Sequence, residues 1–234
     1  MKKHLVLLLF FVEALINLAY SRENINVDFE KEYQNWLALI NMPEIYLSSI
    51  STLRTDNDEF RKIIQLGLPV VPLLINKIKQ KSVNSQWLPF AVVSILKMKI
   101  DTIFNKNLNK FIYIDYPNFD NKENFILYWW DEGRKETSSI FNKYCAVYEA
   151  AVKENGKDVS KELLMKIKGL GIDALPYIVE KMKGGYEYLI PVFIDLTTVK
   201  DSEKNLKETS TKEECFKWWE ENKEDWLLPP PESK

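Results

Sequence analysis

Leu170-Gly171-Ile172-Asp173-Ala174-Leu175-Pro176-Tyr177-Ile178-Val179-Glu180-Lys181-Met182-Lys183 has a counterpart 104 residues earlier, Leu66-Gly67-Leu68-Pro69-Val70-Val71-Pro72-Leu73-Leu74-Ile75-Asn76-Lys77-Ile78-Lys79. In the first copy Val70, Val71, Leu74, Ile75 and Ile78 fall at helical spacing on one stripe, and Ala174, Leu175, Ile178, Val179 and Met182 repeat it. Lys77, Lys79, Lys181 and Lys183 take the opposite face. Pro72 and Pro176 would break a helix interior, but the first-turn N–H groups have no intrahelical acceptor, so a proline there removes nothing. The glycine just upstream suits the tight turn that closes a preceding helix.

The repetition extends both ways. Upstream, Phe60, Ile63 and Leu66 match Leu164, Ile167 and Leu170 at the same spacing. Downstream, Trp87-Leu88 through Lys99 matches Tyr188-Leu189 through Lys200 at an offset of 101, and Trp129-Trp130-Asp131-Glu132 matches Trp218-Trp219-Glu220-Glu221 at 89. Each unit therefore reads as four helices in two antiparallel pairs. Residues 28–40 and 138–155, the latter ending at Gly156, supply further helices. Apart from Phe111 to Tyr116, which suits a short strand, no alternating run is long enough for a sheet. An all-α chain with two internal repeat units is expected.

The pattern Gly-x-x-x-Leu-Pro-x-(Ile/Leu)-x-x-Lys-(Ile/Met) at Gly171 to Met182 resembles HEAT-like repeats, with Gly67 to Ile78 as a weaker copy carrying Val71 in place of the leucine. The resemblance covers about residues 57–136 and 160–225. It implies antiparallel helix pairs stacked as an α-solenoid, the usual role of which is a protein-interaction scaffold; it brings no catalytic residues. A curved solenoid and a compact superhelical bundle both fit, as do one continuous stack and two lobes parting near Gly156. The expected organisation is a signal peptide at 1–21, an N-terminal helical cap at 22–56, a first unit at 57–156, a second at 157–228 and a flexible tail at 229–234.

The signal peptide is read from Met1-Lys2-Lys3, the apolar run Leu5 to Val12, and Ala19-Tyr20-Ser21 before Arg22, with small residues at the −3 and −1 positions. Glu13 holds the apolar run to eight residues, far short of the roughly twenty of a membrane span. Export to the periplasm or exterior follows, with no stable span once the signal is removed. Were residues 1–21 retained, a cytoplasmic location would stand.

The chain has 234 residues and a formal net charge of −2, from 32 basic and 34 acidic side chains. Its single histidine is His4, within the signal segment, so a mature chain has none. That excludes Ser-His-Asp and Cys-His catalysis and histidine metal sites. Two cysteines 70 residues apart, Cys145 and Cys215, make neither a zinc cluster nor a CxxC motif. Both fall at apolar positions; export would permit a disulfide between them, and the alternative is two buried thiols. Only Arg22, Arg54, Arg61 and Arg134 are arginines, which speaks against nucleic acid, where bidentate phosphate contacts favour arginine. No cofactor, metal or catalytic group is expected.

Gly67 to Trp129 spans 62 residues and Gly171 to Trp218 spans 47, so the first unit carries 15 extra. Most of these fall near 105–119, with Phe111, Tyr113, Tyr116 and Phe119. Insertions in repeat proteins map to loops on the binding face. These four are the candidate partner anchors; the alternative is a loop that folds back and fills a gap. Ile126, Leu127 and Trp130, like Cys215, Phe216 and Trp219, fall at i, i+1 and i+4, placing Trp130 and Trp219 in the core and leaving Trp129 and Trp218 at the stripe edge as further candidates. Asp131-Glu132 and Glu220-Glu221 diverge by about 100° on a helix and read as solvated faces rather than an acid/base pair. Asp56-Asn57-Asp58 lacks the glycine of a calcium loop, Arg61 standing there, and Asp56 with Glu59 reads as a capping box. The expected function is non-catalytic binding of another protein; the alternative is a glycan-binding or carbohydrate-active envelope protein using exposed tryptophans and carboxylates.

Overall fold

The computed structural model describes residues 24–48, 50, 52–99, 102–105, 110–113, 122–155, 160–199, 202 and 205–229. They form an all-α fold with one short hairpin. The helices are α1 (24–40), α2 (Pro43–Tyr46), α3 (Thr52–Thr55), α4 (Asp58–Gln65), α5 (Val71–Lys79), α6 (Leu88–Ile95), α7 (Lys122–Asp131), α8 (Thr137–Asn155), α9 (Ser160–Gly169), α10 (Leu175–Lys183), α11 (Ile190–Thr197) and α12 (Lys212–Asn222). Strands β1 (Thr102–Asn105) and β2 (Lys110–Tyr113) pair antiparallel, with Thr102 opposite Tyr113 and Asn105 opposite Lys110. Among the described residues no helix is long and apolar enough to cross a membrane.

The chain divides into two compact units, one up to Ala91 and one from Val92 onward. The division falls within α6 and not near Gly156, because α8 and α9, on either side of that glycine, pack against each other.

In the first unit α1 buries Phe29, Tyr33, Trp36 and Ile40, one face at helical spacing. Their rings form a ladder, Phe29 to Tyr33 at 5.8 Å, Tyr33 to Trp36 at 5.8 Å and Trp36 to Phe60 of α4 at 5.4 Å. The polar tips are satisfied at the same time. Tyr33 donates to the Val83 carbonyl at 2.9 Å, and the Trp36 indole donates to the Arg54 carbonyl at 2.7 Å. The Arg54 guanidinium in turn donates to the carbonyls of Ile45, Tyr46 and Ser48 at 3.0 to 3.1 Å, tying down the turn after α2. At α4 the cap is Asn57, whose side chain accepts from Phe60 N–H at 2.9 Å. Asp56, the residue expected to cap, pairs with Arg61 at 2.7 Å instead. Three adjacent residues all able to cap make this boundary uncertain by one from sequence.

The two copies of the repeated turn adopt one geometry. Gly67 and Gly171 have φ of 73° and 74°, a short 3₁₀ turn follows each, and α5 and α10 are nine residues long with proline in the first turn. Val71, Leu74, Ile75 and Ile78 are buried in one, Leu175, Ile178, Val179 and Met182 in the other. Each such side chain contributes about 1.5–3 kcal/mol on burial. The next helices agree at the offset of 101: Leu88, Ala91, Val92, Ile95 and Leu96 are buried, as are Leu189, Val192, Phe193, Leu196 and Thr197.

In the second unit α9 packs on both α8 and α11, α10 on α11, and α11 on α12. Gly171 is the tightest point. A Cβ there would collide with the Leu96 carbonyl oxygen and lie 2.8 Å from Met98 Cγ. Ile172 N–H donates to that carbonyl at 2.9 Å, and Lys99 N–H donates to the Gly169 carbonyl at 2.9 Å. Residues 96–99 are thereby laced along the α9–α10 turn. α12 begins with a full capping box, Glu214 N–H donating to Thr211 Oγ1 at 3.2 Å and Thr211 N–H to the Glu214 carboxylate at 2.6 Å.

Candidate functional site

Lacing 96–99 onto the turn leaves an open trough in the second unit, about 480 Å³, between that segment, α9 and α11. α9 turns Ile167 into the core and presents Leu164, Met165 and Lys168 to the trough; α11 contributes Pro191, Val192 and Asp195 at helical spacing. Lys97 and Lys99 complete the rim. Among the described residues, three lysines and one aspartate thus line the trough around its aliphatic floor.

The charges are not equivalent. Lys168 pairs with Asp195 at 2.6 Å in an exposed bridge. Lys97, held with a positive φ of 53°, donates to the backbone carbonyls of Asp195, at 3.3 Å, and Thr198, and its ammonium lies 5.7 Å from the Trp226 ring centre. Among the described residues it forms no ion pair. Burial pushes its pKa down, the Asp195 charge opposes this, and the Lys168 charge adds to it. The trough therefore sets lysine side chains beside hydrocarbon. Among the described residues no cluster of three or more His, Cys, Asp or Glu side chains gathers.

The residues singled out in the sequence lie elsewhere. Phe111 and Tyr113 fall on β2, while Tyr116 and Phe119 lie outside the described residues. Trp129 is 2% exposed, contrary to its expected place at a stripe edge. α7 buries Phe125, Ile126 and Trp129, one position earlier than the face through Trp130. α12 buries Cys215 and Trp219, as expected, with Trp218 half-buried. Burial thus equates Trp129 with Trp219, and Phe125 with Cys215, each 90 residues apart, so the letter match of Trp129 to Trp218 is off by one.

The tryptophan pair of α7 has a structural task. The buried Arg134 guanidinium lies 5.0 Å from the Trp130 ring centre and 5.8 Å from that of Trp129, and Arg134 Nε approaches Asp173 Oδ1 at 3.5 Å. Thr137 donates to the other Asp173 oxygen at 2.7 Å. Burial raises the Asp173 pKa, against the pull of Thr137 and Arg134. Trp218 meets Phe193 edge-on at 5.9 Å and Trp226 at 5.7 Å, so through Trp226 it backs Lys97 at the trough rim. Cys145 and Cys215 are free, buried thiols, both with pKa raised chiefly by burial, Cys215 to about 11.

Sequence reasoning missed the trough because its lysines come from positions 97, 99 and 168, which only packing brings together. The one local signal was Met165, apolar yet off the Leu164–Ile167 stripe, and it is 47% exposed.

No protein-family model, no curated protein and no solved structure matches this chain. The class the fold defines is an all-α protein of mutually packed helices compatible with a helical repeat.

Proposed function

We propose that this chain is an exported, HEAT-like helical-repeat protein that binds another protein and catalyses nothing. The observation that carries this is the α9–α11 trough: an aliphatic floor with a charged rim, set on packed helices, which is how a preformed recognition surface is built. The recurrence of turn, proline and buried stripe at an offset of 104 supports the repeat, and residues 1–21 support export. The glycan reading lost one of its two tryptophans to the core, since Trp129 is shut away from any sugar.

The test is chemical cross-linking with mass spectrometry on the chain purified from its native host. The expected outcome is a second polypeptide in constant ratio to the chain, cross-linked to lysines of the second unit. A chain recovered alone, which instead binds oligosaccharides on an array, would overturn the proposal.

A further inference from the structure

We propose that the stretch from Tyr46 to Leu53, where α2 passes into α3, seats the chain on the surface of a lipid bilayer, with Tyr46, Leu47, Ile50 and Leu53 entering its interfacial layer. This goes beyond protein binding at the trough and uses the other compact unit of the chain.

The side chains supply the apolar area. Leu47 is 80% exposed, Tyr46 63%, Ile50 56% and Leu53 40%. Single exposed apolar residues are ordinary, but four within eight positions form a cluster of the kind that meets another apolar phase. No Asp, Glu, Lys, Arg or His stands between Ile45 and Leu53, in a chain that is 28% charged, so the stretch brings no ionised group of its own to hydrocarbon. Tyr46 pairs an apolar ring with a hydroxyl tip, the type of side chain that settles at the boundary of bilayer and water.

The backbone selects lipid over an apolar protein. The Arg54 guanidinium, stacked over the Trp87 ring at 5.4 Å, donates to the carbonyls of Ile45, Tyr46 and Ser48 at 3.0 to 3.1 Å and to that of Ile50 at 3.4 Å. Tyr46 N–H donates to the Met42 carbonyl, Leu47 N–H to Pro43, Ser48 N–H to Ile45 and Leu53 N–H to Ile50, while Ile50 N–H donates to Ser48 Oγ at 3.1 Å. A loop that stays in water can leave such groups to the solvent, whereas one that approaches hydrocarbon must satisfy them internally. A protein partner would read the loop through about one hydrogen bond per 100–200 Å² of interface, and here most of the groups that could make them are already engaged.

Charge decides the kind of bilayer. Glu44 precedes the stretch and Asp56, Asp58 and Glu59 follow it. Arg61 is paired with both aspartates and Lys62 with Glu59, and the Arg54 charge is turned onto carbonyls. These flanks do not recruit anionic headgroups, so a zwitterionic surface suffices and added salt changes little.

The experiment uses the full chain and phosphatidylcholine vesicles, with binding read by co-sedimentation. Leu47→Asp and Ile50→Asp should each weaken binding by about tenfold or more, while Leu47→Phe retains it and the melting temperature of each variant stays near that of the parent. Depth is read by an environment-sensitive dye on Leu47→Cys, the native thiols being buried. Its emission should rise on vesicles and be quenched by spin-labelled lipid, whereas the same dye on Val147→Cys, in the other unit, should respond to neither. Failure to bind these vesicles, binding that needs anionic lipid and is lost in salt, or loop variants that bind like the parent would each overturn the proposal; the last would place attachment elsewhere, residues 1–21 included. A dye at 47 already shielded without vesicles would overturn it too, by showing the cluster covered by protein.

Discussion

Replacing Gly171 by alanine tests how the second unit is assembled, and Gly67→Ala is its internal control. Both glycines have φ near +74°, so both alanines take a backbone strain of about 1–2 kcal/mol. At Gly67 the added methyl meets nothing nearer than Pro69 Cδ at 4.0 Å, and the strain is the whole effect. At Gly171 the methyl runs into the Leu96 carbonyl, the acceptor of the Ile172 N–H, and crowds Met98. The segment 96–99 must move, loosening that bond and the Lys99-to-Gly169 bond, each contributing about 0.5–1.5 kcal/mol. Gly171→Ala should therefore destabilise by about 2–5 kcal/mol against about 1–2 for Gly67→Ala. Urea unfolding followed by far-ultraviolet circular dichroism measures both. Equal losses in the two variants would refute the close packing of 96–99 on the α9–α10 turn. The same variant should also spoil the trough, because Lys97 and Lys99 ride on that segment.

Other expectations concern the buried polar groups and caps. Asp173→Asn removes the counter-charge of the buried Arg134 but keeps an acceptor for Thr137, so unfolding should show a loss near the lower end of about 3–5 kcal/mol. Because burial raises the Asp173 pKa above its unfolded value, the native state binds more protons between the two values. Stability should fall as pH rises through that window, and the difference between wild type and Asp173→Asn should carry this slope; a slope of opposite sign would contradict the burial. In native protein at about pH 8 neither Cys145 nor Cys215 should react with Ellman's reagent, whereas denatured protein should yield two thiols; fast native labelling would place a cysteine at the surface. Asn57→Ala should cost about 1 kcal/mol through loss of the α4 cap, while Asp56→Ala leaves the unfolding midpoint nearly unchanged.

The repeat was legible wherever residue chemistry is unambiguous. A glycine needing positive φ, a proline tolerated only in a first turn, and a stripe at helical spacing all point the same way at 66–79 and 170–183, and the two copies fold alike. It was illegible where neighbours are interchangeable. Phe125-Ile126-Leu127 and Trp129-Trp130 offer two apolar faces about 100° apart, and tertiary packing, which buries Phe125, Ile126 and Trp129 and sets Arg134 against both indoles, is a choice no periodicity reveals. Asp56, Asn57 and Asp58 pose the same difficulty in miniature. Beyond the off-stripe Met165 the α9–α11 trough could not be read, since the turn segment after α6 lines it together with α9 and α11.

Partner recognition at that trough is most directly tested by a photo-crosslinking amino acid at position 165, with one at the exposed position 83 as control, in the full chain expressed in its native host. The account predicts that one protein is captured from position 165 and not from 83. Capture from 83 alone, or of no protein from 165, would contradict it.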